Sequence, residues 1–232
     1  MCGMAALLLT SCFDPPQYGP NPEIEFEKIV LKDIADPSVA DSLILSVKFK
    51  DGDGDLGLDP AELSPPYNEK SYFRFSDGSY ITYKTKRTNK NYDTLPAFVK
   101  PYNCINWEVR TVNLKVDTFY IQLNHNHYNI FVDFFIFDNA TQTFKEFDWQ
   151  KEFAYPNCGQ TYDGRFPILS KDLSQKTPLD GTIHYAMQSI GFTILFSIKA
   201  FYLEVTIQDR ALNKSNTIRT PTHTLQEITV KG

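Results

Sequence analysis

Few features of this sequence identify a function directly. It has no run of Lys or Arg that could follow a phosphate backbone, because the residues behind its net charge of -5 are evenly scattered. We therefore expect no nucleic-acid partner. The sequence also lacks a nucleophile elbow, a Ser/His/Asp signal and a glycine loop for phosphate. We expect no enzyme, and a hydrolase ranks third among the functions considered.

Helix signals are scarce as well, whereas aromatic residues are abundant. Aromatics make up 14% of the chain, with 13 Tyr and 18 Phe, and flat rings pack well on the pleated surface of a sheet. A short helix start lies at Asp59-Pro60, which offers an N-cap and a first-turn proline for one or two turns. A chain of 232 residues suffices for one sizeable core. We predict a single all-β domain over residues 23–232.

Strand patterns recur along the chain. In residues 43–50 the apolar Leu43, Leu45, Val47 and Phe49 fall on one face, while Ser46, Lys48 and Lys50 fall on the other, as in a half-buried strand. Asp77-Gly78 lies between two aromatic runs and predicts a hairpin turn. Further strands are predicted at 24–31, 107–112, 118–124, 129–137 and 201–207. The apolar stretch 190–207 contains Lys199 and Glu204, which favours two strands or one bulged strand over a membrane span.

The two ends of the chain resemble parts of an immunoglobulin-like fold. The first two strands and the last two are similar to the sheet ends of such an antiparallel β-sandwich. The central segment, residues 60–180, is far longer than an immunoglobulin-like domain of about 100 residues requires. We therefore predict an immunoglobulin-like antiparallel β-sandwich with a long β-rich central insertion at about 60–180.

The amino terminus carries the most specific motif. A short apolar run, AALLL, ends at Thr10-Ser11-Cys12, with small residues just before the cysteine. This LTSC run resembles the bacterial lipobox, which implies a lipoprotein signal peptide over residues 1–11 and fatty acylation, such as palmitate, of Cys12. No Lys or Arg precedes the apolar run, and a misplaced start codon would explain that departure. The alternative is an ordinary buried amino-terminal segment.

Residues 12–22 fit a tether between the lipid and the domain. Four prolines in this stretch disfavour helix and bias the chain to extended conformations. At about 3.1 Å per residue the stretch spans roughly 30 Å. It would hold the domain clear of the lipid headgroups.

The remaining cysteines agree with an oxidising compartment. Cys2 leaves with the signal peptide and Cys12 is lipidated, so Cys104 and Cys158 remain in the mature chain. They form either a single disulfide or two separate free thiols.

The loop Asp51-Gly52-Asp53-Gly54-Asp55 predicts a structural calcium site. Carboxylates at i, i+2 and i+4 with glycines between them can curl around one hard cation, and oxygen ligands suit Ca²⁺. Compared with an EF-hand loop, Asp59 and Glu62 fall at the ninth and twelfth ligand positions. Leu56 replaces the expected glycine, and a strand rather than a helix leads in. The alternative is a solvated acidic turn.

Topology adds one more candidate ligand. In an immunoglobulin-like sandwich the loops after the second and the penultimate strand lie at the same end. Asp209 and Asn213 would then approach the Asp51 loop. The alternative for Asp209 is a capping or turn role.

Two other groups are weaker candidates. His125 and His127 have a strand-like spacing that would suit a metal, although LNHNHYN is typical of a hairpin tip. Carboxylates near Trp149 would suit a glycan site with paired acids; they are Glu146, Asp148 and Glu152.

The combination of lipobox, proline-rich tether, DGDGDLGL strand end and DRALNKSN turn resembles the outer-envelope lipoproteins of Bacteroidota-type bacteria. The resemblance implies an outer-membrane lipoprotein that acts as a non-enzymatic binding or accessory subunit beside a larger membrane machine. The second expectation is a glycan-binding surface lipoprotein in nutrient capture. Only Asp14 supplies an acid after the cysteine, so the periplasmic or cell-surface face stays open.

Overall fold

A computed structural model describes residues 16–33, 40–88, 95, 105–152, 161–189, 192–196 and 198–231. Strands dominate these residues, which confirms the predicted all-β class. The strands are β1 (Glu23–Asp33), β2 (Asp41–Asp51), β3 (Lys70–Tyr72), β4 (Trp107–Val112), β5 (Lys115–Leu123), β6 (Ile130–Asp138), β7 (Thr143–Glu146), β8 (Leu179–Ser189), β9 (Phe201–Ile207), β10 (Ile218–Arg219) and β11 (Thr229–Lys231). The helices are short: α1 (Tyr83–Thr88), α2 (Trp149–Glu152), α3 (Phe192–Phe196) and α4 (Leu225–Ile228).

The described strands form three sheets. The first has the order β11-β1-β2-β8, in which β11 runs parallel to β1 and the other pairs are antiparallel. The second has the order β10-β9-β6-β7 and is antiparallel throughout. These two sheets share one hydrophobic core and form a β-sandwich.

Alternating side chains build this core. Leu43, Leu45 and Val47 of β2 are fully buried, as the alternation in the sequence predicts. Phe134 and Leu203 from the opposite sheet belong to the same buried cluster. Each such side chain contributes roughly 1.5–3 kcal/mol when it leaves water. Because a one-residue slip would turn this face to solvent, the packing fixes the register of the strands and so the positions of the loops.

The strand order is that of an immunoglobulin-like sandwich. The order β1-β2-β8 corresponds to strands A, B and E, and β7-β6-β9-β10 corresponds to C′, C, F and G, with β11 as an additional strand. In this arrangement β2 and β9 run toward the same end. The loops that follow them therefore meet there, and we call residues 51–58 and 209–213 the acidic end.

The central insertion is a small β-sheet of order β3-β5-β4, with its own buried residues Ile81, Trp107, Phe119 and Ile121. Within the predicted bounds of 60–180, β6 and β7 belong instead to the sandwich, where β6 pairs with β9 and β7 pairs with β6. The strands of the insertion are as aromatic as those of the sandwich, so composition does not separate them. The hairpin turn at Asp77-Gly78 is present, and Gly78 has a φ of 84°.

Two local predictions were wrong. Residues 192–196 form α3, so only the second half of the apolar stretch 190–207 is a strand. The spacing of Phe192 and Phe196 places both rings on one helical face, and both are fully buried. Asp59-Pro60 opens a single turn rather than a helix, with the Glu62 amide donating to the Asp59 carbonyl at 3.0 Å.

Several predictions fall outside the described residues. These are the signal peptide at 1–11, the lipidated Cys12 and the pair Cys104 and Cys158, while the tether is described from residue 16 onward. In the described parts of the chain, no helix is both long and apolar enough to cross a bilayer.

Candidate metal centre

Four aspartates meet at the acidic end. Asp51, Asp53 and Asp55 come from the loop after β2, and Asp209 comes from the loop after β9. Each offers one carboxylate oxygen, and these four oxygens lie within 4.8 Å of one another. The predicted approach of Asp209 is therefore confirmed, and the cluster could hold a metal ion.

Glycines give the first loop its shape. Gly54 adopts a φ of 67°, and a Cβ there would lie 2.1 Å from the Thr177 carbonyl oxygen. A side chain at this position would be strained by the backbone and blocked by its neighbour. The Asp55 amide donates to Asp51 Oδ2 at 3.1 Å, which closes the turn. The alternation of Asp and Gly thus serves both ligand spacing and backbone folding.

The second loop is held by its own hydrogen bonds and by the first loop. The Asn213 backbone amide donates to Asp209 Oδ1 at 2.7 Å, and its side-chain amide donates to Asp209 Oδ2 at 2.8 Å. The Asp209 amide in turn donates to the Asn213 carbonyl at 3.1 Å. The Arg210 amide donates to the Asp55 carbonyl at 3.4 Å, which joins the two loops. Asn213 therefore orients the Asp209 carboxylate and is not itself a member of the cluster.

Three of the four clustered aspartates carry a buried oxygen without a donor. Asp51 is fully buried and Asp209 is 2% exposed. Asp51 Oδ1, Asp53 Oδ1 and Asp55 Oδ1 are each inaccessible to solvent and have no hydrogen-bond partner. A buried charged oxygen without a partner is strongly unfavourable in a folded protein. Three such atoms from one loop indicate a site that a cation would complete.

The pKa values of these aspartates show the same cost of burying charge. Burial, together with the charges of Asp53 and Asp55, raises the pKa of Asp51 to about 6. Burial and the charge of Asp209 raise the pKa of Asp55 to about 6. Burial also raises the pKa of Asp209, although the Asn213 hydrogen bonds oppose it. These carboxylates therefore hold their protons more tightly than an exposed aspartate does, and a positive charge nearby would favour their ionised form.

The nearest basic side chains do not supply that charge. Lys176 Nζ lies 3.5 Å from Asp53 Oδ2, but the lysine side chain is 83% exposed and its contribution is screened by water. Arg210 turns away from the cluster and forms a bidentate ion pair with Glu62. The cluster consequently keeps most of its negative charge.

Asp59 and Glu62 do not belong to the cluster, which corrects the EF-hand comparison. Asp59 is exposed and accepts a hydrogen bond from the Ala61 amide at 2.8 Å, while Arg210 holds the pKa of Glu62 below its usual value. The cause is Leu56, which is fully buried in the core. Once Leu56 is buried, the chain continues along Phe166, where the Leu58 amide donates to the Phe166 carbonyl, and it cannot curl around the ion.

The histidine candidates have other roles. The ring of His125 stacks on Phe131 with centroids 4.0 Å apart, and burial lowers the pKa of this imidazole. His127 Nδ1 lies 2.9 Å from the Tyr67 carbonyl oxygen. Within the described residues, neither histidine joins a group of potential metal ligands.

The carboxylates near Trp149 do not frame an open ring. Trp149 is 5% exposed and packs against Phe134 and Phe147. Asp148 accepts a hydrogen bond from the Lys151 amide at 3.0 Å in the first turn of α2. Asp148 thus has a local structural role.

The structure adds contacts that sequence reasoning missed. Lys176, Thr177 and the segment at Tyr18-Gly19 all reach the acidic loop from distant parts of the chain. Ser46 and His184 also meet across two strands, with Oγ and Nδ1 2.8 Å apart on the outer face of the first sheet. No local pattern in the sequence signals any of these long-range contacts.

No protein-family model matches the sequence, and neither the curated proteins nor the solved structures give a match.

Proposed function

We propose that this chain is the body of a lipid-anchored outer-membrane protein that acts as a non-enzymatic binding or scaffold subunit, with one structural Ca²⁺ ion at the acidic end. The observation that carries the proposal is the set of three buried aspartate oxygens without a donor. They favour an ion that stabilises the fold, because none of the three faces open solvent.

Calcium fits the size and chemistry of the cluster. Ca²⁺ takes oxygen ligands at about 2.3–2.6 Å, so opposite ligands in its shell lie about 4.6–5.2 Å apart. The four carboxylate oxygens lie within 4.8 Å of one another. Asp51, Asp53, Asp55 and Asp209 would be ligands, and water or backbone carbonyls would complete the shell.

The anchor is proposed from the motif at Cys12 and from the resemblance to Bacteroidota-type envelope lipoproteins. Each acyl methylene buried in lipid contributes about 0.8 kcal/mol, so two or three chains would retain the protein at a bilayer. A lipid-anchored body without a hydrolytic motif fits an accessory role beside a membrane partner. Glycan capture receives less support, because Trp107 and Trp149 are both buried and offer no platform for a sugar ring.

The test is a pull-down of the native protein from detergent-solubilised membranes, with mass analysis of its first peptide. We expect a chain that begins at an acylated Cys12 and a stoichiometric membrane partner. Cys12→Ala should release the protein from the membrane fraction, whereas the matched control Cys2→Ala should leave it there. Recovery of residues 1–11 on the native chain without acyl mass would contradict the proposal.

A further inference from the structure

The end of the tether packs directly on the acidic loop. The Gly52 amide, between Asp51 and Asp53, donates to the Gly19 carbonyl at 3.0 Å. The contact is so close that a Cβ on Gly52 would lie 2.4 Å from the Gly19 carbonyl oxygen and 2.5 Å from the Tyr18 carbonyl oxygen. Residues 18–19 and the loop are therefore in direct backbone contact.

Side chains hold the same segment in place. The Tyr18 hydroxyl donates to Asp180 Oδ2 at 2.6 Å, and Lys50 Nζ lies 5.8 Å from the centre of the Tyr18 ring. Pro22 is buried just before β1 begins. Tyr18, Gly19 and Pro22 therefore hold the end of the tether against the ends of β2 and β8, while residues 16–17 are exposed.

Cation binding and docking of the segment would therefore both involve the Gly52 peptide. A cation held by Asp51 and Asp53 fixes the backbone on both sides of Gly52, and the docked segment takes up the Gly52 amide. Repulsion between unneutralised carboxylates would instead drive this loop apart. An ion therefore has a higher affinity for the loop shape that also accepts the segment.

We propose that cation binding at the four aspartates and docking of residues 16–22 are coupled, so that calcium fixes how the body is oriented on its membrane tether. This inference rests on the proposed calcium site and lipid anchor. Coupling is reciprocal: the factor by which calcium favours docking equals the factor by which docking raises calcium affinity.

The experiment uses the full chain with saturating Ca²⁺ or with a chelator, and two readouts. Hydrogen exchange follows the Gly52 amide and the four amides that residues 16–22 possess besides their three prolines, and calorimetry gives the calcium affinity. We expect calcium to slow exchange at these amides by about 5- to 20-fold, at the lower end of common coupling factors.

Variants separate docking from ligation. Gly52→Ala adds a Cβ against Gly19 and keeps all four aspartates, so it should lower calcium affinity by about the same 5- to 20-fold factor. Tyr18→Phe removes only the hydroxyl bond to Asp180 and should give a smaller loss in the same direction. Gly78→Ala is the glycine control: alanine is strained at the Gly78 φ of 84°, but this turn lies outside the acidic end, so the variant should change neither readout.

Two outcomes would overturn the coupling while leaving the calcium site intact. One is tight calcium binding with identical exchange of residues 16–22 in calcium and in chelator. The other is wild-type calcium affinity in both Gly52→Ala and Tyr18→Phe. Absence of calcium binding in the wild-type chain would remove the site itself and the coupling with it.

Discussion

The two ends of the sandwich differ in the side chains that fill them. At the acidic end, four carboxylates approach within 4.8 Å and three of their oxygens have no donor. Toward the other end, α3 inserts Phe192 and Phe196 between the sheets, where they pack with other aromatic rings. Apolar packing is stable without any ligand, whereas the acidic end is stable only when its charge is balanced. The comparison predicts that calcium acts on the acidic end alone.

The largest effect is expected from the aromatic end. Phe196→Ala removes a fully buried ring, and such changes cost about 3–5 kcal/mol of unfolding free energy. Urea unfolding with and without calcium should show the same loss under both conditions. As a control, Leu114→Ala alters a side chain that is 98% exposed and should change the unfolding free energy by less than about 0.5 kcal/mol. If Phe196→Ala lowered the unfolding free energy in calcium but not in chelator, the comparison would be contradicted.

Calcium removal should be the next largest effect, and it should act through the aspartates. Calcium at 100 times its dissociation constant stabilises the fold by about 2.7 kcal/mol, so chelation should lower the unfolding free energy by that amount. Asp55→Asn should abolish the calcium effect and yet raise stability in chelator, because it removes one repelling charge. Thermal unfolding of the wild type and of Asp55→Asn, each in calcium and in chelator, measures these opposite changes in stability. A variant that lost stability equally in calcium and in chelator would contradict a cation site.

The pH dependence in chelator should have an unusual sign. Because the pKa of Asp51 and the pKa of Asp55 are both raised to about 6, the folded state binds protons more tightly than the unfolded state at these groups. Their contribution is fully present below the ordinary pKa of 3.8 and is lost as the pH rises through 6, so the unfolding free energy should fall between about pH 4 and about pH 6.5. Calcium affinity should rise over the same interval, because the ion competes with protons. In the double variant Asp51→Asn with Asp55→Asn, calcium binding should be lost and the fall in unfolding free energy should be smaller in urea titrations. Part of the fall should remain, because the pKa of Asp209 and the pKa of Asp133 are raised as well.

The smallest effect is expected at Glu62. Its pair with Arg210 is partly exposed, and such pairs contribute about 1 kcal/mol or less. Glu62→Gln should therefore lower the unfolding free energy slightly and leave calcium affinity unchanged in calorimetry. A large loss of calcium affinity would restore Glu62 as a ligand.

The sequence predicted the sandwich and all four aspartates of the cluster for identifiable reasons. Alternation in β2 and β9 reports burial directly, so these strands and the loops after them could be placed at one end. Asp209 was found because topology, rather than local spacing, brings it to Asp51. The prediction of Asp59 and Glu62 as metal ligands was wrong, because a linear ligand pattern takes no account of Leu56. The burial of Leu56 redirects the chain.

Other parts of the structure depend on contacts that no local pattern encodes. The α3 helix follows from the fit of two phenylalanines between the sheets, although its residues favour strands. The docking of Tyr18 and Gly19 on the acidic loop joins residues more than thirty positions apart through backbone atoms. Neither contact leaves a periodic signal in the sequence.

The most direct test of the account is a calcium titration of the purified chain by calorimetry, with the Asp51→Asn and Asp55→Asn double variant beside it. We predict one Ca²⁺ ion per chain for the wild type, no binding for the variant, and a chelator-sensitive thermal shift in the wild type alone. A wild-type chain that binds no calcium, and whose unfolding is unchanged by chelator, would contradict the account.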